Sequence, residues 1–285
     1  MRVNAYAKIN LTLDFAGRRE DGYHLLRMVM QSVSLHDSLI IEKGEPGIRL
    51  HCARADVPCD RSNTVYKAVS LFYAFCGRVP AIDITIEKKI PSQAGLGGGS
   101  ADAAAVLHAL NKIEYTDYSL ETLCGIGVQV GADVPFCLFG GTALAEGIGE
   151  KLTALAPLPH CFLVICKPPV GVNTGKAFAK ADSLGVSGNF TEPMLRAVRT
   201  AEIPAIAVAL GNDFEQVTEL DEVIGIKQKM LAFGALGACM TGSGSAVYGI
   251  FEEQAAAAQC KGQLSLKYED TFLCEPVTSG FEFLP

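Results

Sequence analysis

The first strong pattern along the chain is an alternation of apolar and polar residues near its start. From Ala5 to Leu13 the odd positions are apolar, while Lys8, Asn10 and Thr12 are polar. A period of two residues is typical of a β-strand, because successive side chains point to opposite faces. The pattern therefore predicts an opening strand with Lys8 and Asn10 on the same face.

Further elements are predicted from the same kind of periodicity. Apolar residues at helical spacing predict helices, and short apolar or alternating runs predict strands. The predicted strands are 31–34, 38–42, 82–88, 141–145 and 162–166, together with a pair that flanks 241–245. The predicted helices are 64–75, 101–113, 120–130, 194–200, 214–218, 221–233 and 252–264. Since strands and helices do not alternate strictly, the pattern favours an α+β fold.

The region around Pro157-Leu158-Pro159 is typical of a linker between domains. A chain of 285 residues, 49% of them hydrophobic, is long enough to form two cores. We therefore expect an N-terminal domain at 1–155 and a C-terminal domain at 156–285.

The charge balance argues against a nucleic-acid or membrane partner. The chain has 24 Lys and Arg against 31 Asp and Glu, a net charge of −7, and lacks the basic face of a nucleic-acid-binding protein. The segment 230–251 is uncharged and long enough to span a bilayer, but it contains several glycines and a polar centre at 241–245. We predict a glycine loop between two apolar segments there rather than a membrane helix.

The cysteines indicate a reducing compartment. All ten are scattered singly, several inside apolar runs, which is typical of buried reduced thiols rather than disulfides or a zinc site. The residues from Met1 to Lys8 enter a strand pattern directly instead of forming a signal peptide. The expected location is the cytoplasm.

A glycine-rich loop at 91–102 is the most informative motif. It follows an alternating strand and precedes an alanine-rich helix, for which Ser100 is the expected N-cap. Glycines let a phosphate approach the backbone, and a helix N-terminus attracts an anion, so we interpret the loop as a phosphate cradle. An ordinary tight turn is the alternative. The loop matches neither a dinucleotide fingerprint nor a Walker A motif, whose nearest counterpart, at 171–177, is one residue short.

Three segments together resemble a known family. The Lys8 strand, the loop at 95–100 and Thr241-Gly242-Ser243-Gly244-Ser245 follow the order and spacing of the three motifs of the GHMP kinase superfamily. The resemblance implies a two-domain fold with the active site in the interdomain cleft, and transfer of the γ-phosphoryl group of ATP to a small-molecule alcohol. It implies that ATP contacts Pro91, Ser92, Gln93, Ala94, Gly95, Leu96, Gly97, Gly98, Gly99, Ser100 and Ala101.

Four further segments, 7–11, 19–24, 131–136 and 145–150, are similar to one branch of this superfamily. That branch phosphorylates the 2-hydroxyl of a cytidine-diphosphate-linked methylerythritol in the non-mevalonate isoprenoid pathway. The similarity is loose from about 181 to 210. A GHMP kinase that acts on homoserine or mevalonate, or a catalytically silent nucleotide-binding protein, remains the alternative.

Two residues are the catalytic candidates. Taken alone, Asp133 favours an N-cap of a short helix, and Lys8 favours a solvated charge on a strand. The resemblance implies instead that Asp133 accepts the proton of the substrate hydroxyl. It implies that Lys8 is the second catalytic residue, beside the acceptor oxygen.

The resemblance also implies a set of substrate contacts. It assigns Asn10 to the erythritol end, Tyr23 and His24 to the cytosine, and Phe178 to the base as a second aromatic. It places the 242–244 loop near the phosphates and the erythritol group. The alternatives are a surface turn with one packed aromatic for Tyr23 and His24, and a β-hairpin turn for 242–244. The expected substrate-binding residues are Asn10, Tyr23, His24, Thr174, Phe178, Gly242, Ser243 and Gly244. Mg²⁺ is expected to neutralise the triphosphate, with Ser100 as one candidate ligand, and the enzyme is expected to be a monomer or weak homodimer.

Overall fold

The structure is a computed structural model and describes residues 1–20 and 22–285. The segment 19–24, which is similar to one branch of the superfamily, thus lies partly outside the described residues. The strands are β1 Arg2–Arg18, β2 His24–Lys43, β3 Gly47–Cys52, β4 Ala81–Glu87, β5 Thr142–Gly147, β6 Lys151–Ala154, β7 Phe162–Cys166, β8 Gly211–Asn212, β9 Gly237–Met240, β10 Val247–Phe251, β11 Thr271–Cys274 and β12 Phe281–Leu284. The helices are α1 Thr64–Cys76, α2 Gly98–Ile113, α3 Leu120–Val130, α4 Val134–Phe139, α5 Thr174–Leu184, α6 Thr191–Thr200, α7 Ile203–Val208, α8 Glu215–Thr218, α9 Asp221–Ala232 and α10 Gln254–Ser265.

The strands form two sheets. In the larger sheet the order is β12-β1-β2-β4-β3. In addition, β5 pairs with β2, β6 pairs with β5, and β8 pairs with β1. The smaller sheet has the order β11-β7-β10-β9, and all of its pairs are antiparallel. Helices and strands are mixed without regular alternation, so the predicted α+β fold is confirmed.

Strand β1 is buried on both faces. Its apolar residues from Ala5 to Leu13 are in the core, but Lys8 and Asn10 on the opposite face are also only 3% and 1% exposed. The C-terminal part of the chain covers this polar face. The carbonyl of Asn10 accepts a hydrogen bond from the Tyr248 hydroxyl, and the amide of Asn10 donates one to Thr241 Oγ1. The interpretation of Lys8 as a solvated charge is therefore wrong.

Two boundaries differ from the sequence prediction. The predicted strands 31–34 and 38–42 belong to one strand, β2, whose register against β1 shifts between Tyr6–His36 and Ala7–Val33. This bulge breaks the period of two and hides the continuity of the strand. Helix α2 begins at Gly98, with Gly97 as its N-cap at a φ of 68°, so the prediction of Ser100 as the N-cap is wrong. Glycines 97–99 allow the helix to start earlier, and Ser100 lies in its first turn.

The uncharged segment 230–251 is confirmed as two apolar pieces around a glycine loop. It comprises the end of α9, then β9, the loop at 241–246 and β10. Across the residues that the structure describes, no helix combines the length and apolar character needed to cross a bilayer.

The two halves of the chain share the larger sheet. Strands β8 and β12 lie beyond the predicted domain boundary at 155, yet both pair with β1. The division into 1–155 and 156–285 stays a prediction. What the topology establishes is that β1 is held between strands from the C-terminal part and β2.

Candidate active site

Two adjoining cavities lie where the C-terminal part of the chain meets β1 and α2. The first, which we call the acceptor cavity, has a volume of about 730 Å³, and the second, the loop cavity, about 400 Å³. Five residues line both cavities: Gly95, Ser100, Asp133, Thr174 and Ser243. A ligand in one cavity can therefore reach a ligand in the other across this shared rim.

The loop cavity is formed by the predicted phosphate cradle. Ten of the eleven predicted residues, from Pro91 to Ser100, line it. Ala101 does not, because its side chain is fully buried and its amide donates to the carbonyl of Gly97 at 2.8 Å. The amides that precede this first helical bond have no intrahelical acceptor, so the N-terminus of α2 presents them to the cavity as anion donors.

The two catalytic candidates lie side by side, with Asp133 on the shared rim and Lys8 in the lining of the acceptor cavity. Lys8 Nζ is 3.5 Å from Asp133 Oδ2, and the lysine side chain is 4% exposed while the aspartate side chain is 37% exposed. Asp133 occupies the N-cap position of α4, as its alternative interpretation held, but its side chain makes no capping hydrogen bond. Its carboxylate thus remains available to a ligand.

Glycine at position 97 is needed for the placement of Lys8. The lysine stem packs directly against Gly97, where an added Cβ would lie 2.9 Å from Lys8 Cγ. The backbone amide of Lys8 also donates to the carbonyl of Leu96 at 3.0 Å. Strand β1 and the glycine loop therefore hold the ammonium group in one position.

Asn10 connects the lysine to the third motif. Its Oδ1 accepts from Lys8 Nζ at 2.9 Å, from the amide of Gly242 at 3.0 Å and from Thr241 Oγ1 at 3.3 Å. Among the described residues its Nδ2 donates only to the sulfur of Met28, at 3.2 Å, and a thioether is a weak acceptor. Of the two side-chain atoms, Nδ2 is the one available to a substrate, and its predicted contact with the erythritol end stays a prediction.

The third motif closes the other side of the rim. Gly242 and Ser243 line the acceptor cavity, and Ser243 and Gly244 line the loop cavity. The hydroxyl of Ser243 lies 2.7 Å from that of Thr174, at the start of α5. Sequence analysis did not predict α5, but its first residue is the expected Thr174.

Aromatic residues form the far end of the acceptor cavity. Tyr23 is 61% exposed, and both His24 and Phe178 line the cavity. The rings of His24 and Phe178 are stacked, with centroids 4.2 Å apart and an interplanar angle of 14°. No base fits between rings at that spacing, so His24 and Phe178 cannot be the two sides of a base sandwich.

A buried ionic cluster of Lys88, Asp37 and Asp102 lies next to the glycine loop. Lys88 lines the loop cavity, and its ammonium contacts Asp37 and Asp102, whose side chains are almost completely buried. Asp37 also accepts hydrogen bonds from the amides of Lys89 and Ile90. Burial raises the pKa of Asp102 to about 8, with the nearby Asp37 charge adding to it and Lys88 opposing it.

Sequence analysis missed this cluster and several cavity residues. Asp102, between Ala101 and Ala103, interrupts an apolar run, which is a signal of a buried charge that could have been followed. Asp37 and Lys88 have polar or charged neighbours on both sides and carry no such signal. The cavity-lining residues that were not predicted are Leu13, Arg18, Gly22, Leu26, Met28, Lys88, Ile90, Ala132, Ile148, Val172 and Phe214.

The donor set around the loop cavity fits Mg²⁺ only as a phosphate-bound ion. The described residues include no group of three His, Cys, Asp or Glu side chains arranged to hold a metal. Mg²⁺ keeps several waters and is bound by one or two protein groups plus substrate phosphates. Ser100, which lines the cavity from the first turn of α2, is the residue placed for that role.

The chain matches two family models and many known proteins. Residues 63–141 match the GHMP kinases N terminal domain, and residues 194–270 match the GHMP kinases C terminal domain. A 4-diphosphocytidyl-2-C-methyl-D-erythritol kinase of Clostridium kluyveri is 40% identical over 97% of this chain and 100% of that protein.

Solved structures are also similar to this chain. A crystal structure of 4-(cytidine 5'-diphospho)-2C-methyl-D-erythritol kinase superposes with a TM-score of 0.83 at 34% identity, over 97% of this chain and 99% of the other. Homoserine kinase from Cytophaga hutchinsonii shares the fold with a TM-score of 0.78 at 18% identity, over 100% of this chain and 97% of the other. The chain therefore belongs to the 4-diphosphocytidyl-2-C-methyl-D-erythritol kinase family of the GHMP kinases.

Proposed function

We propose that this protein transfers the γ-phosphoryl group of ATP to the 2-hydroxyl of 4-diphosphocytidyl-2-C-methyl-D-erythritol. The products are the 2-phosphate and ADP, and the reaction belongs to the non-mevalonate isoprenoid pathway. One observation carries the proposal: Asp133 lies on the rim that joins the glycine-loop cavity to the cavity bearing Tyr23 and His24, and the Lys8 ammonium lies beside it in the second of these cavities.

The glycine loop holds the donor. The free amides at the start of α2 bind the phosphate oxygens, and the positive end of the helix dipole favours their charge. Ser100 would help to hold Mg²⁺, which would supply further positive charge to the triphosphate. Because the net charge of the chain is −7, this local concentration of donors and cations is what attracts a polyanion.

Asp133 and Lys8 act on the acceptor. The Asp133 carboxylate orients the 2-hydroxyl for in-line attack and accepts its proton as the new P–O bond forms. The Lys8 ammonium, 3.5 Å from that carboxylate, stabilises the negative charge on the acceptor oxygen. Phosphoryl transfer usually passes through a loose transition state, so orientation by Asp133 contributes as much as its basicity.

The aromatic end of the acceptor cavity binds the cytidine. Tyr23 presents an exposed ring on which the base stacks, and Phe178 faces the same cavity. The His24 ring meets the polar edge of the base. Asn10 Nδ2 and the 242–244 loop contact the erythritol and its diphosphate.

A GHMP kinase for another alcohol, such as homoserine or mevalonate, is the alternative. It shares the loop cavity and the Lys8–Asp133 pair but needs no binding site for a pyrimidine. The aromatic end of the acceptor cavity, with Tyr23 61% exposed, favours the cytidylated acceptor. The intact Lys8–Asp133 pair argues against a catalytically silent protein.

We also infer a reducing, cytoplasmic location. All ten cysteines are free thiols and six of them are buried, which suits a compartment that keeps thiols reduced. Residues of one chain line both cavities, so a monomer or weak homodimer suffices for the reaction.

A coupled assay of ADP release tests the proposal. We expect turnover with ATP and 4-diphosphocytidyl-2-C-methyl-D-erythritol, and none above background with homoserine or mevalonate. The Asp133→Asn variant controls for contaminating ATPase activity. Equal turnover with homoserine or mevalonate would contradict the assignment of the acceptor.

A further inference from the structure

The His24 ring has a carboxylate partner that holds one of its nitrogens. Asp182 Oδ1, on α5, lies 2.8 Å from His24 Nε2. The same carboxylate lies 3.7 Å from Arg18, and the His24 side chain is 15% exposed while that of Asp182 is 41% exposed. This contact joins α5 to the end of the acceptor cavity where the base is expected.

The orientation of the ring is fixed by a second contact from the same helix. Phe178 lies one turn before Asp182 on α5, and its ring stacks on His24 at 4.2 Å. Arg18, which lies near Asp182, also donates through Nε to the carbonyl of Gly22 at 3.0 Å, so it connects Asp182 to the end of β1 and to Gly22. The His24 imidazole is thus held in plane by Phe178 and held at Nε2 by Asp182.

The chemistry of an imidazole makes this contact informative. A carboxylate accepts hydrogen bonds and does not donate them, so the proton of a neutral His24 resides on Nε2. The remaining nitrogen, Nδ1, is then an acceptor. In the part of the chain that the structure describes, Nδ1 has no hydrogen-bond partner, and His24 lines the acceptor cavity.

We propose that Asp182 is a positioning residue that sets the His24 tautomer and thereby selects cytosine over uracil. An acceptor nitrogen pairs with the exocyclic amino group of cytosine, which is a donor. Uracil has a carbonyl oxygen at that position, so it would place an acceptor against an acceptor. The inference rests on the proposed function, since it assumes that a pyrimidine occupies this end of the cavity.

Kinetics of Asp182 variants test the proposal. Asp182→Ala frees Nε2, and we expect the KM for the cytidylated acceptor to rise about 10-fold, because a polar contact of the base is weakened. The preference for the cytidylated over the uridylated acceptor should fall to a similar extent, while kcat and the KM for ATP stay near the wild-type values. Asp182→Asn keeps an oxygen acceptor for Nε2–H and should retain most of the preference.

A matched control separates this role from general loosening of α5. Lys180 on the same helix forms an exposed ion pair with Glu219 at 3.2 Å, and neither residue is among those that line the acceptor cavity. Glu219→Ala removes a carboxylate contact from α5 and should leave the preference unchanged. Equal loss of preference in Glu219→Ala and Asp182→Ala would overturn the proposal.

The tautomer of His24 can also be measured directly, independently of enzyme activity. The chain has 5 histidines, so imidazole nitrogen–proton NMR spectra are simple, and His24→Gln assigns the signal of interest. We expect wild-type His24 to carry its proton on Nε2 and Asp182→Ala to lose that bias. A wild-type ring protonated on Nδ1 refutes the role of Asp182, even if the enzyme is active. Absence of wild-type turnover with the cytidylated acceptor contradicts the proposed function instead.

Discussion

Gly95 and Thr241 are in direct backbone contact, and this contact joins the phosphate loop to the third motif. A Cβ on Gly95 would lie 2.1 Å from the carbonyl oxygen of Thr241, and Gly95 has a φ of 76°. The hydroxyl of Thr241 also reaches back to the carbonyl of Gly95 at 3.2 Å. Only glycine satisfies both the conformation and the space. The two loops that border the reaction therefore depend on one another for their positions.

The first prediction concerns this contact. In Gly95→Ala, the clash with Thr241 forces the two loops apart, and we expect a loss of about 2 kcal/mol in the free energy of unfolding with a raised KM for ATP. Urea unfolding and steady-state kinetics measure the two effects. Gly225→Ala is the matched control, because a Cβ at that position on α9 meets open space and should stabilise the protein by about 0.5 kcal/mol.

The second prediction concerns the acceptor proton. Asp133→Asn keeps the size of the side chain but removes its charge and basicity, so we expect kcat to fall about 100-fold or more. The KM for ATP and the melting temperature should change little, since the carboxylate makes no capping hydrogen bond in α4. Near-normal kcat in this variant would remove Asp133 from the mechanism.

The third prediction concerns Lys8. Lys8→Met preserves the stem that packs on Gly97 but removes the ammonium beside Asp133, so we expect kcat to fall about 100-fold. Asn10 Oδ1 keeps two of its three donors, from Gly242 and Thr241, so the contact between β1 and the 241–245 loop should remain. Circular dichroism checks the fold, and a variant that folds normally and retains full kcat would show that Lys8 is dispensable.

The fourth prediction concerns the polar edge of the base. His24→Gln replaces the imidazole ring with a flexible amide and removes the stacking on Phe178, so the KM for the cytidylated acceptor should rise. The KM for ATP should not change, because His24 lines the acceptor cavity and not the loop cavity. Unchanged kinetics for both substrates would favour a GHMP kinase with another acceptor.

The fifth prediction is a pH dependence of stability that arises from Asp102. Its pKa is raised from 3.8 to about 8 in the folded chain, chiefly by burial. Between these values the folded state holds more protons than the unfolded state, so this group makes stability fall as the pH rises. Asp102→Asn resembles the protonated form and should flatten the curve from about pH 6 to pH 8.

An exposed carboxylate provides the control for that experiment. The Arg54 hydrogen bond is the largest cause that lowers the pKa of Asp56 to about 2, and Asp56 is therefore ionised in both the folded and unfolded states above about pH 6. Asp56→Asn should shift the stability by a constant amount and leave its slope with pH unchanged. If Asp102→Asn gives the wild-type slope in urea unfolding, Asp102 is not the group responsible.

Local patterns predicted the parts of the site that lie close together in sequence. The alternation around Lys8 and the glycines at 95–99 are visible because each strand or loop carries its own periodicity or composition. The pairing of Lys88 with Asp37 joins residues 51 positions apart, and no local pattern records which buried charge meets which. Partner choice across the fold depends on packing, which a single sequence does not display.

The helix that carries Phe178 illustrates a second limit. Apart from its buried residues Ala177 and Ala181, α5 is mostly polar, so its apolar stripe is too narrow for a clear helical pattern. Its contact with His24 through Asp182 was accordingly not predicted. The start of α2 shows the opposite error, since Ser100 is a good N-cap by residue type but glycine conformation at 97 decided the boundary.

The pairing of β1 with β8 and β12 has a consequence for biosynthesis. The strand that carries Lys8 emerges from the ribosome well before residues 211–212 and 281–284, which pair with its edge. Until then the nascent chain exposes unpaired backbone groups along that edge, which can associate with other chains. Catalytic competence should therefore arise only after residues 281–284 have emerged, and chaperones that bind the nascent chain would protect it during that interval.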